Sequence, residues 1–166
     1  IILCMTHLFT MNAFDFLLWT LLAWILVRLI RSGNERLWLC VGIVVGLGLL
    51  NKYTMAFFAI GLFAGGMATP LRLHLARPWF WGGAVLATII ALPNFLWQWH
   101  HGFPFLELMA NIRHQGRDVV HDPLAFLGQQ AFMIGFIPAL LVVLGTWYLF
   151  SRKARAYAVL AWGFLG

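Results

Sequence analysis

Charged residues are scarce in this chain: they make up 10% of its 166 residues, whereas 63% are hydrophobic. A chain of this length and composition has too little polar surface to cover a water-soluble globule, so it is predicted to be a membrane protein with several spans. The apolar runs are continuous rather than alternating with polar residues, which disfavours transmembrane β-strands.

Motifs for metals, nucleotides and covalent catalysis are also lacking. Cys4 and Cys40 lie on separate segments, and no HExxH, P-loop or GxSxG pattern occurs. We therefore expect no cofactor, although four histidines between residues 100 and 121 leave a divalent metal as an alternative. The formal charge of +6 comes from arginines spread over short loops without interleaved aromatic platforms. This spacing argues against a nucleic-acid partner.

Five apolar segments are candidates for membrane-spanning helices, which need roughly 20 residues: 14–30, 37–50, 55–69, 79–99 and 124–150. The second and third are short and are predicted to form a tight helical pair. Pro93 and Pro138 fall inside predicted spans, where a missing amide hydrogen permits a kink. The predicted fold class is an all-α transmembrane helical bundle.

Both ends of the chain suggest an internal fragment. It starts at Ile1, and a further apolar stretch begins at Ala156 and runs to the last residue. We expect residues 1–166 to form part of one transmembrane domain with about five spans, the start of another, and an outer loop over residues 100–123.

The basic residues give the orientation. If the five segments span in order, eight basic residues fall on one side and three on the other. By the positive-inside rule, the side with eight faces the cytoplasm. The eight are Arg28, Arg31, Arg36, Arg72, Arg77, Arg152, Lys153 and Arg155, and the three are Lys52, Arg113 and Arg117.

Unusual polar residues collect on the predicted outer side. Polar groups at membrane depth cost several kcal/mol unless they pair or line a cavity, so this collection predicts a pocket. Singly, each group could instead be solvated at the interface. The members are Asn12, Asp15, Asn51, Lys52, Asn94, Gln98, Gln129 and Gln130, together with Glu107, His114, Asp118 and Asp122 of the outer loop.

Two of these positions have a simpler alternative. Asp15 could only cap the first helix, since a carboxylate is stabilised at a helix N-terminus. Lys52 could only extend its ammonium to the interface. The outer loop has apolar residues at helical spacing over residues 103–112, which predicts an amphipathic interfacial helix able to gate access from the bilayer.

The order of motifs resembles a known family. An Asp opens one span, and Gly-Leu-Gly-Leu-Leu-Asn-Lys-Tyr-Thr (46–54), Leu-Pro-Asn-Phe-Leu-Trp-Gln (92–98) and His-Gly-Phe-Pro (101–104) follow. This order resembles bacterial glycosyltransferase family 39, the dolichyl-phosphate-mannose-protein mannosyltransferase-like enzymes, which include lipopolysaccharide galacturonosyl and aminoarabinose transferases. The resemblance implies a membrane-embedded GT-C fold.

That resemblance also implies a reaction. Enzymes of this family transfer a sugar from a polyprenyl-phosphate donor to a lipid, polysaccharide or protein acceptor on the periplasmic face of the inner membrane, and their principal catalytic carboxylate lies upstream of the residues present here. Lys52, with Arg113 or Arg117, is expected to bind the donor phosphate. Asp15 matches an acidic family position and is expected to orient a substrate. Asn51 replaces a more usual Thr.

Sugar or acceptor contacts are expected from Asn94, Gln98, Glu107, His114 and Asp118. Two other functions remain open. A transporter or permease for a small polar solute also uses kinked helices and polar groups, but these should lie near the bilayer midplane and reach both sides. A non-catalytic scaffold subunit would use the outer loop only to bind a partner.

Overall fold

The computed structural model describes residues 11–116, 122–151 and 154–165, and all regular structure within them is helical. The predicted all-α fold class is thus confirmed. The helices are α1 (Met11–Ser32), α2 (Leu37–Asn51), α3 (Thr54–Ala68), α4 (Arg72–Leu75), α5 (Pro78–His100), α6 (Pro104–His114), α7 (Pro123–Ile134), α8 (Phe136–Phe150) and α9 (Ala158–Leu165), with a 3-10 turn at Arg155–Tyr157 before α9.

Two helices are long and apolar enough to cross a membrane alone, α1 from Asn12 to Ser32 and α5. Helices α2 and α3 have 15 residues each, which corresponds to about 22 Å at 1.5 Å per residue. They fall short of a hydrocarbon core of about 30 Å. The expectation that both are short helices is confirmed.

The prediction that α2 and α3 form a tight pair is wrong. They meet near their common turn, where Gly48 packs on Met55, and then each packs more extensively on another helix. Helix α2 lies against α5, so closely that a Cβ on Gly42 would overlap the carbonyl oxygen of Gly83. Helix α3 packs on α9, where Gly61 faces the backbone of Trp162. Small residues permit such close approach of membrane helices.

The predicted span 124–150 is also wrong as a single helix. Gly135 separates α7 from α8 with φ 92° and ψ 150°, a backbone conformation that side-chain-bearing residues rarely adopt. Pro138 therefore lies in the first turn of α8 rather than inside a span, and its missing amide hydrogen costs no helical bond there. Pro93 lies inside α5 as predicted.

The core lies between α1, α2, α3 and α9. Leu22, Leu26 and Leu29 of α1 pack with Phe58 of α3 and Val159 of α9, all at most 1% exposed. The outer surface is also apolar: Trp147 on α8 is 75% exposed. Large exposed apolar side chains suit contact with lipid rather than water.

The turns gather at two ends of the bundle, as the sequence predicted. At the arginine end, Glu35 pairs with Arg77, and Arg36 lies over the Trp79 ring. At the lysine end, the start of α1 meets the α2–α3 turn and the last turns of α5.

Candidate functional site

Asp15 lies at the meeting point of three segments at the lysine end. The Asn51 amide donates to its Oδ1 at 2.8 Å, and the Thr54 hydroxyl donates to its Oδ2 at 3.4 Å. Its side chain is 14% exposed. Asp15 is the fifth residue of α1 and bonds across to α2 and α3, so these contacts favour a role beyond capping α1.

Lys52 occupies the turn between α2 and α3 in an extended conformation, and its amide donates to the Gly48 carbonyl at 2.8 Å. Its ammonium donates to the Asn12 Oδ1 at 3.0 Å and lies 3.7 Å from the Asp15 Oδ2. The side chain is 37% exposed. Lys52 thus folds back onto α1 instead of extending freely toward solvent.

Tyr53 ties the same turn to α5 and α6. Its hydroxyl donates to the Asn94 Oδ1 at 2.9 Å, and its ring centroid lies 4.5 Å from that of Phe105. Gln98 accepts from the Phe105 amide at 3.2 Å through its side chain, and from the Phe103 amide at 2.7 Å through its carbonyl. These bonds hold the start of α6 over the end of α5.

These residues enclose a cavity of about 430 Å³, within the range of small-molecule sites. Its wall combines one cation, three carboxamides, a threonine hydroxyl and several aromatic or aliphatic side chains: Leu49, Leu50, Asn51, Lys52, Tyr53, Thr54, Phe57, Asn94, Gln98 and Phe105. Asp15 lies behind Lys52 and does not line it. A mixed wall of this kind can hold an anionic group at the lysine and hydroxyl groups at the amides.

The structure separates the predicted site residues into two groups. Lys52, Asn94 and Gln98 share the cavity, whereas Glu107, Arg113 and His114 lie exposed on α6 and do not line it. Arg117 and Asp118 lie outside the described residues. Within the described ranges, no three His, Cys, Asp or Glu side chains are grouped to hold a metal ion. A helix over the predicted range 103–112 is confirmed as α6, and its place at the membrane interface stays a prediction.

Several contacts went unrecognised in the sequence. Tyr53 and Thr54 lie next to Lys52 in the motif 46–54, and this adjacency is the sequence signal that they belong to the site. Their hydrogen-bond partners, however, are about 40 positions away in the chain. Phe105 was counted only as part of the apolar face of the interfacial helix. Its stacking on Tyr53 depends on how α6 folds back.

Comparison with known proteins gives one family. The family model described as dolichyl-phosphate-mannose-protein mannosyltransferase matches residues 1–97, more than half of the chain. This range contains Asp15, Lys52 and Asn94. No curated protein and no solved structure gives a significant match. The chain therefore belongs to the dolichyl-phosphate-mannose-protein mannosyltransferase family, which consists of membrane glycosyltransferases of the GT-C type.

Proposed function

We propose that this protein transfers a sugar from a polyprenyl-phosphate donor to a lipid, polysaccharide or protein acceptor, and that Lys52 binds the donor phosphate. One observation carries the proposal: Lys52 lines a cavity, and its ammonium is held by Asn12 and Asp15, which do not line that cavity. The position of this ammonium is therefore preorganised for an anionic group before that group binds.

The chemistry explains why the cation matters. As the acceptor hydroxyl attacks the anomeric carbon and gives its proton to a general base, the bond from that carbon to the phosphate oxygen breaks and negative charge grows on the departing phosphate. A preorganised ammonium stabilises that charge more in the transition state than in the bound donor. Of its three N–H donors, one is engaged by Asn12, and Asp15 attracts the ammonium as an ion pair at 3.7 Å. A remaining N–H donor is assigned to the phosphate.

Asp15 acts through Lys52 in this proposal. Because it lies 3.7 Å from the ammonium, it offsets the partly buried positive charge and fixes the ammonium position. We therefore class it as a positioning residue. Within the described part of the chain, no carboxylate lines the cavity, so we assign no general base to it.

A second cavity supports a lipid-linked donor. It has a volume of about 220 Å³ and lies further along the same three helices, α2, α3 and α5. Its lining includes Val45, Leu62, Phe63 and Phe80, and no charged or carboxamide side chain among the described residues lines it. An isoprenoid chain attached to a phosphate at Lys52 could pack against the apolar wall of this second cavity.

The amides of Asn94 and Gln98 are proposed to contact sugar or acceptor hydroxyl groups, because both line the Lys52 cavity. Glu107, Arg113 and His114 are proposed to contribute from α6 when a substrate extends beyond the cavity. Arg117 and Asp118 keep the donor-phosphate and sugar roles proposed from the sequence. No metal is part of this assignment.

The lysine end is proposed to face the periplasm, in the inner membrane of the cell. The support is the distribution of basic residues, eight on the opposite side against three on this one. A transporter is the weaker alternative, because the cavity deeper along α2, α3 and α5 lacks the polar groups that a hydrophilic path through the bilayer requires.

The test is transfer of labelled sugars from polyprenyl phosphates by the full-length protein in proteoliposomes. Loss of one preorganised cationic donor at the leaving group should lower kcat about 10²- to 10³-fold in Lys52→Ala. Lys52→Arg should retain part of the activity because it keeps the charge.

Arg77→Ala is the matched control, since it removes an ion-paired cation from the arginine end. It should leave transfer within about twofold of wild type. Full activity in Lys52→Ala would refute the phosphate assignment. Solute uptake without transfer from any polyprenyl-phosphate sugar would instead support a transporter.

A further inference from the structure

A third cavity lies at the arginine end, opposite the proposed donor site. Its volume is about 270 Å³, and its wall consists of Ala68, Thr69, Pro70, Arg72, Leu73 and Arg155. Arg72 belongs to α4, whereas Arg155 begins the 3-10 turn before α9. Residues more than 80 positions apart in the chain thus place two arginines in the wall of one small cavity.

Within the described ranges, neither arginine is paired with a carboxylate. Glu35 is the single acidic residue in the sequence segments 28–36, 69–77 and 151–157, and it pairs with Arg77 at 3.3 Å. Among the described residues, no ion pair joins Arg72 or Arg155 to an acidic side chain. Two like charges facing one cavity repel each other, and an anion bound between them removes that repulsion.

The rest of the wall indicates what kind of anion would fit. Ala68, Pro70 and Leu73 are apolar, and Leu73 is 70% exposed beside the two arginines. A soluble anion would leave this apolar surface in water. A phospholipid would place its phosphate between the guanidinium groups and its acyl chain against the apolar side chains.

We propose that this cavity binds the headgroup phosphate of an anionic phospholipid from the leaflet at the arginine end. Guanidinium groups suit this ligand because their planar N–H donors match phosphate oxygens in pairs. The site is separate from the Lys52 cavity and does not depend on the proposed transfer reaction.

The proposal differs from a general attraction of basic loops to an anionic membrane. A diffuse attraction would depend on the total charge of this end, so removing any arginine there would have a similar effect. A discrete site predicts that position matters. Arg31 provides the matched control, because it is an exposed arginine in the last turn of α1, at the same end, but does not line the cavity.

The experiment measures retention of phosphatidylglycerol and of phosphatidylcholine by the purified full-length protein, using native mass spectrometry during lipid titration. Wild type should retain one phosphatidylglycerol in preference to phosphatidylcholine. Each of Arg72→Gln and Arg155→Gln should weaken this binding about fivefold, and the double variant about thirtyfold. Arg31→Gln should bind like wild type.

Three results would overturn the proposal. The first is equal retention of the two lipids by wild type, which needs no variant and so remains informative if a variant fails to fold. The second is an equal loss in Arg31→Gln and Arg72→Gln, which would indicate diffuse attraction. The third is full displacement of phosphatidylglycerol by millimolar inorganic phosphate, which would indicate a site for a soluble anion.

Discussion

In the part of the chain that the structure describes, the lysine end and the arginine end of the bundle each contain one ion pair, and the pairs differ in their surroundings. Glu35 and Arg77 approach to 3.3 Å, but their side chains are 30% and 61% exposed. Asp15 and Lys52 are 3.7 Å apart, and Asp15 is only 14% exposed. The shorter pair is therefore the more solvated one, and water and salt screen it.

The hydrogen bonds around the pairs explain the difference in expected function. Asn51 and Thr54 donate to the Asp15 carboxylate, and Asn12 accepts from the Lys52 ammonium. A partly buried pair needs such additional bonds, because desolvation of its charges would otherwise exceed their attraction. The network fixes a cation beside a cavity, whereas Glu35 and Arg77 only join two turns. The distance between the two charged groups of an ion pair is thus a poor guide to the functional importance of that pair.

The largest contrast between the two ends is expected from neutralising each carboxylate. Asp15→Asn keeps the size of the side chain but removes the charge that opposes Lys52 and places an NH₂ group in the network. We expect kcat/KM for the donor to fall about tenfold to hundredfold. Glu35→Gln should stay within about twofold of wild type, because an exposed ion pair contributes less than about 1 kcal/mol.

Steady-state transfer at varied donor and acceptor concentrations checks this contrast. If Asp15 positions Lys52, the donor KM should rise in Asp15→Asn while the acceptor KM stays unchanged. Equal losses in Asp15→Asn and Glu35→Gln, together with lower thermal stability of both, would contradict the positioning role and indicate general destabilisation.

Much of the helical architecture could be predicted from the sequence. Runs of apolar residues bounded by charged or glycine-containing turns gave 14–30 for α1 and 79–99 for α5, close to Met11–Ser32 and Pro78–His100. The prediction failed at residues 124–150 because hydropathy reports only polarity. The break at Gly135 arises from a backbone conformation inside a uniformly apolar run.

Which helices pack on each other could not be predicted from the sequence, for a related reason. Glycines on α2 permit a close helix contact, but they do not say which helix supplies it. Gly42 meets Gly83 of α5 rather than α3, because pairing depends on the shapes of both surfaces. The site was limited in the same way: Asp15 and Lys52 were identified one by one, but their contact across 37 positions depends on the fold.

A smaller effect is expected from the Tyr53 hydroxyl. Tyr53→Phe removes the 2.9 Å bond to Asn94 and keeps the ring against Phe105. Loss of one partly buried hydrogen bond costs about 1 kcal/mol, so transfer should fall about fivefold. Tyr157→Phe at the arginine end should have no effect. Unchanged activity in Tyr53→Phe would mean that Asn94 is held in place without this bond.

The smallest effect is expected from Asn51→Thr. Asn51 stands where the related enzymes more usually have Thr, and its amide donates to Asp15 at 2.8 Å. A threonine hydroxyl can also donate to a carboxylate, so transfer should change by no more than about twofold. The side chain in Asn51→Leu is similar in size but has no hydrogen-bond donor. Transfer by this variant should therefore fall about fivefold. If Thr and Leu are equally harmful in the transfer assay, the carboxamide itself is required at the lysine end. If neither lowers transfer, the bond from Asn51 is not part of what holds Asp15 against Lys52, and Thr54 and the ion pair suffice to do so.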